Sequence, residues 1–130
     1  METNELFAKD HFAKHAGIES LEAKDGHATA RMPLRDEHMN GLGIAHGGAI
    51  YTLADMVLGA ASNSHGYPAV ALSASVHFVK SARAGDVLHA DARELHRGRR
   101  VSSYEIRITN NAGELVATLQ GLAYRVGDTK

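Results

Sequence analysis

The chain has 130 residues, 44% of them hydrophobic, and fourteen basic side chains against fifteen acidic ones leave a formal net charge of -1. That length suits a single domain over residues 1–130 with no room for a second core, and the near-neutral balance offers no general attraction to nucleic acid or an anionic membrane. The absence of cysteine removes thiolate nucleophiles, disulfides and cysteine-ligated metals together, and fits the reducing cytoplasm.

Residues 4 to 16 place Leu6, Phe7 and Ala13 at near-helical spacing, which predicts one short helix with Asn4 as a cap and Gly17 as its stop. The same segment lacks a basic stretch followed by an apolar core, and no later run approaches about 18 apolar residues, so neither an export signal nor a membrane span is predicted. "GIESLEAKDGHATARMPL" alternates on either side of Lys24-Asp25-Gly26, the chemistry of a hairpin turn between two strands. From Ala49 to Ala61 the period changes. Ile50, Leu53, Ala54, Val57, Leu58 and Ala61 follow the i, i+3, i+4, i+7, i+8 spacing of a helix with one buried stripe. Four alternating segments follow, near Val70 to Lys80, Val87 to Leu95, Val101 to Asn110 and Glu114 to Arg125, punctuated by turn residues. One long helix among about six strands predicts an α+β fold, an antiparallel sheet curled around that helix.

The stretch "NGLGIAHGGAIYTLAD", Asn40 to Asp55, carries the chemistry. On a helical wheel Asp55 lies about 130 degrees from the centre of the apolar stripe and so points off the core. Its row contains Tyr51 one turn before and Gly59 one turn after, a shallow surface that a ligand or another chain could approach. Mid-helix Asp is a weak helix former, about 0.6 kcal/mol worse than Ala, and lies too far along for strong stabilisation by the helix dipole. His46-Gly47-Gly48 stands where Ser, Thr, Asp or Asn would ordinarily cap the helix, which predicts open backbone donors there. Such donors suit an oxygen carrying developing negative charge, and glycine lets a substrate reach them without meeting a Cβ. Taken singly, a surface Asp is commonly a solvated residue and Gly-Gly a turn.

Together, with Asn40 six residues before His46, these residues resemble the signature of hotdog-fold acyl-CoA thioesterases of the phenylacetate-degradation (PaaI) type. The resemblance extends through "FAKHAGIE", "NSHG", "AVALSASVHFVKSARAGD" and "GRRVSSYEIRITNNAGELVATLQGLAYR". It implies a long helix wrapped by an antiparallel sheet, two subunits joined edge to edge with shared active sites, and commonly a tetramer. By the same resemblance Asp55 is the catalytic carboxylate, acting as nucleophile on the thioester carbonyl or as general base for water. Gly47 would donate its N–H to the thioester oxygen, Asn40 would position the carbonyl or the water, and His46 would shape the helix start. Asp55 of one subunit would face Asn40 and Gly47 of the other. Ser73 is the strand hydroxyl implied beneath the carboxylate, while Gly59 departs from the Ser or Thr that some relatives carry one turn after it.

Gly48 and Tyr51 are further candidate contacts for an acyl-CoA substrate. The basic run "RELHRGRR" offers Arg97, Arg99 and Arg100 to nucleotide phosphates, and Lys80 and Arg83 are alternatives, although a solvated turn accounts for such a run equally well. Nine scattered histidines without a helical pair predict no metal site, and no organic cofactor is expected. The lack of a G-x-S-x-G elbow, a P-loop or a GxGxxG argues against a serine hydrolase, an NTPase and a dinucleotide enzyme. Two other activities fit the same fold: a hydratase or dehydratase using His46 with Asp55, and a non-catalytic acyl-CoA binding module.

Overall fold

The computed structural model describes residues 3–127. Two short helices, α1 (Thr3–Lys9) and α2 (His11–Ala16), precede the hairpin of β1 (Glu19–Lys24) and β2 (His27–Pro33). A loop containing one 3₁₀ turn leads to α3 (Gly47–Asn63), and β3 (Ala69–Phe78), β4 (Val87–Arg97), β5 (Val101–Thr109) and β6 (Leu115–Arg125) follow. The six strands form one antiparallel sheet in the order β1-β2-β4-β5-β6-β3. α3 packs on one face of that sheet, which is the hotdog architecture.

The predicted first helix is two helices. Asp10 breaks it and caps the second, its Oδ1 accepting the Ala13 N–H at 2.9 Å, as a carboxylate does at an N-cap. Asn4, the predicted cap, lies inside α1 as its second residue, and Gly17 ends α2 in the left-handed conformation at φ 81. Asp25 and Gly26 both adopt positive φ, 52 and 82, the backbone of a tight hairpin turn whose twist matches the strands.

All six stripe residues of α3 are buried. They meet Met32, Leu88, Ile106, Ile108 and Leu119 from the sheet, so the period of 3.6 on the helix faces the period of 2 on the strands. α3 runs two residues beyond the prediction at each end. At its start His46 supplies the cap described below. At its end Asn63 donates from Nδ2 to the carbonyls of Gly59 and Ala69, and its Oδ1 accepts the Ala69 N–H, which ties the helix to β3. Nearby, Glu94 accepts a hydrogen bond from Tyr104 Oη at 2.7 Å and pairs with His65 Nε2 at 2.9 Å. Tyr104 is 2% exposed, and burial, followed by this bond to the Glu94 carboxylate, pushes its phenol well above the usual range.

β3 is the edge strand next to β6, and almost all its residues are exposed, with Val70, Leu72 and Phe78 more than half so. A long apolar edge left open in this way is a template for pairing with another strand.

Candidate active site

The loop between β2 and α3 is built from its own hydrogen bonds. Met39 and Ala45 form a bridge, and the Asn40 N–H donates to Ile44 O at 2.8 Å. Asn40 Oδ1 accepts the N–H groups of Leu42 at 2.9 Å and Ile44 at 3.3 Å. The side-chain oxygen is therefore occupied, and Nδ2 is the end of Asn40 that can donate to a substrate oxygen. The His46 N–H donates to His38 O at 2.7 Å, which fixes where the helix begins.

His46 caps α3, contrary to the expectation of an uncapped start. Its Nδ1 accepts the Gly48 N–H at 2.8 Å, so the ring does what a capping hydroxyl would do. Gly48 is thereby removed as an amide donor. The Gly47 N–H has no hydrogen-bond partner among the described residues, leaving one open donor at the helix start. The Phe78 ring packs beside Gly47: a Cβ there would stand 3.0 Å from it and would push the ring aside by a few tenths of an ångström.

Asp55 projects away from the core, as the wheel requires, into a cleft of about 390 Å3. Leu6 and Phe12 from the first two helices, Leu21 from β1, Met56 from α3 and Val70 from β3 form apolar walls around it, and Asp10 lines the same cleft. The carboxylate reaches solvent at the cleft mouth yet is surrounded by these atoms, so partial desolvation raises its pKa above the ordinary 3.8, and the like charge of Asp10 raises it further. A second cleft of about 310 Å3, lined by His15, Arg35, His46 and Gly48, adjoins the first at Phe12 and Thr52.

Within one chain the site is split. Gly47 and Asp55 are eight residues apart on one helix, a rise of about 12 Å, so they cannot both touch one thioester carbonyl. The same separation, with His46 engaged as a cap, means that His46 and Asp55 do not form an acid–base pair within a chain. Asn40 lies at the Gly47 end. Tyr51 is exposed one turn before Asp55 but does not line its cleft. Ser73 lies on exposed β3, paired with Leu122, and likewise falls outside the cleft. A bulge between Ala71 and Ser73 shifts the strand register there, which is why simple alternation could not place this hydroxyl.

The basic candidates divide between two ends of the sheet. Arg97 ends β4 and Arg99 and Arg100 occupy the β4–β5 turn, beside the start of β3, whereas Lys80 and Arg83 follow its end. Strands of this length separate the two groups by on the order of 30 Å, so they cannot hold one diphosphate of the same substrate within a chain. Arg97 donates from Nε to Tyr67 Oη at 3.1 Å, and Lys80 pairs with Glu114 at 3.6 Å. Among the described residues no three His, Asp or Glu side chains gather as a metal-holding group. No described helix is long and apolar enough to cross a membrane.

The sequence reading missed Asp10, Phe12 and Phe78. Asp10 preceding "HFAKHAG" is legible as a helix cap, but nothing local aims it at residue 55.

The profile of the thioesterase superfamily matches residues 42–117, from just after Asn40 to the start of β6. The chain belongs to that superfamily. Within it the chain is PaaI-like. It is 34% identical over 124 residues to the acyl-coenzyme A thioesterase PaaI of Escherichia coli K12, covering 95% of this chain and 89% of that one. The structure of the E. coli PaaI protein from the phenylacetic acid degradation operon superposes with a TM-score of 0.94 at 32% identity, over 98% and 93% of the two chains. A Streptococcus mutans protein solved with acetyl-CoA bound is similar at a TM-score of 0.81 and 33% identity, over 86% of this chain and 93% of that one.

Proposed function

We propose that this chain is a cytoplasmic acyl-CoA thioesterase that hydrolyses aryl or medium-chain acyl-CoA to the free acid and CoA at a site shared between two copies. The observation that carries the reading is the open Gly47 N–H with the cleft carboxylate Asp55 two helical turns away. A donor for the oxyanion and a carboxylate for the attack are the two parts that thioester hydrolysis needs, and a neighbouring copy can bring one copy's Asp55 to the other's Gly47. The exposed edge of β3 supports such a pairing. A pair of such dimers would give the tetramer common in the family.

In this site the thioester oxygen accepts the Gly47 N–H, with Asn40 Nδ2 as a second donor. Two routes are open to the Asp55 carboxylate. As general base it takes a proton from water, hydroxide adds to the carbonyl carbon, and the C–S bond breaks as the proton passes to the departing thiolate. As nucleophile it adds to the carbon itself and expels CoA thiolate, leaving a mixed anhydride that water hydrolyses. Both need the carboxylate ionised and the developing oxyanion held by the amide.

The test is continuous detection of released CoA thiol with DTNB, on wild-type protein and Asp55→Ala. Steady turnover by the wild type and a loss of at least a hundredfold in the folded variant are expected. Acyl-CoA binding without thiol release by the wild type would make the protein a binding module, and near-normal turnover by Asp55→Ala would remove Asp55 from the mechanism.

A further inference from the structure

Gly59 lies one helical turn beyond Asp55 and forms part of the wall of the same cleft. Its φ is not in the left-handed region, and a Cβ built on it meets no atom within 4 Å. Its carbonyl accepts from Asn63 Nδ2 at 2.8 Å and Ser62 Oγ at 3.1 Å, roles open to any residue. Glycine inside a helix is less favourable than alanine. Neither backbone conformation nor packing within the chain calls for glycine here. What glycine leaves is room in the cleft.

The uncharged polar side chains around that room are already engaged. Both ends of the Asn63 amide are bonded to backbone, and the Thr52 hydroxyl donates to Gly48 O at 2.7 Å. Beyond Asp55 a bound group would meet Leu6, Leu21, Met56, Val70 and Ala71, and Asp10 and Asp55 repel an acyl group ending in a carboxylate. We propose that Gly59 sets the depth of the acyl end of this cleft, and with it the size of acyl group admitted, and that Asp10 and Asp55 together turn away acyl groups ending in a carboxylate. The proposal rests on the thioesterase reading above.

The thioethers S-ethyl-CoA and S-octyl-CoA are not hydrolysed, so their binding, followed by calorimetry, tests the subsite without requiring turnover. Wild-type protein should bind S-octyl-CoA at least tenfold more tightly than S-ethyl-CoA, and at least tenfold more tightly than a thioether of equal length ending in a carboxylate. Gly59→Leu should weaken S-octyl-CoA at least tenfold and S-ethyl-CoA threefold at most, with circular dichroism and sedimentation matching the wild type. Gly59→Ala, which suits a helix better than glycine, should keep or raise Tm and weaken S-octyl-CoA selectively by about threefold. Equal binding of the three thioethers by the wild type, equal losses on the short and long thioethers, no selective loss in Gly59→Ala, or dissociation of the assembly in Gly59→Leu would each overturn the proposal, the last by showing that a second copy covers Gly59. A selective loss in a protein that releases no thiol would uphold the subsite while refuting hydrolysis.

Discussion

At the scale of single residues, Asp55 is set by two neighbours of different kinds: apolar cleft walls that disfavour its charge, and Asp10, which shares the cleft. Hydrolysis needs the ionised carboxylate, so activity should fall as pH drops through a pKa held above the ordinary aspartate value. Asp10→Asn removes the like charge and keeps an N-cap side chain. The acid limb of kcat/KM should therefore move to lower pH in that variant, remaining above 3.8 because desolvation, the larger cause, persists. A limb that stays in place would mean that Asp10 does not act on Asp55. The sign for stability is opposite to that of a salt-bridged acid: a raised carboxyl pKa favours the fold while the group is protonated, and that contribution is lost as pH rises through the folded value. Tm against pH for Asp55→Asn should accordingly match or exceed the wild type near neutrality, the gap closing in acid.

At the scale of elements, α3 depends on an unusual cap. His46→Ala leaves the Gly48 N–H without its acceptor and should destabilise the protein by about 1 kcal/mol in chemical denaturation, while His46→Asn restores a capping side chain and recovers most of it. Equal losses in both variants would assign His46 to loop packing instead. The body of α3, short of its two terminal residues at each end, was legible from its stripe because helix periodicity is a local property, whereas the break at Asp10 went unread although an Asp before His11 is a cap signal. Leu6, Phe7 and Ala13 keep near-helical spacing across it and mask the cap, and the Asp10 side chain bonding to Ala13 shows the two helices. The bulge before Ser73 escaped for a related reason, since one inserted residue leaves composition unchanged while moving every later side chain to the other face.

At the scale of the whole molecule, the 12 Å rise between Gly47 and Asp55 makes assembly part of the proposed chemistry. Asp55→Ala and Asn40→Ala, each inactive alone, should regain partial activity when mixed under conditions in which tagged subunits exchange. A reassorted dimer holds one site with both defects and one with neither. If exchange is demonstrated and each single variant is severely impaired, a mixture as inactive as its parents would place Asp55 and Asn40 in the same chain's site.

The sequence by itself determined the alternation of the strands, the helix with its buried stripe and the outward direction of Asp55, because each follows from the repeat of a local backbone geometry. Through "NGLGIAHGGAIYTLAD" it also pointed to the family. Only the tertiary structure decided that His46 caps α3 and leaves Gly47 the open donor, that Asp10 and Phe12 enter the Asp55 cleft, and that the basic candidates stand at opposite ends of the sheet. These relations join residues brought together by chain crossings and side-chain rotamers. No local period encodes them: the cap depends on a His46 rotamer, and the others on packing between elements distant in sequence.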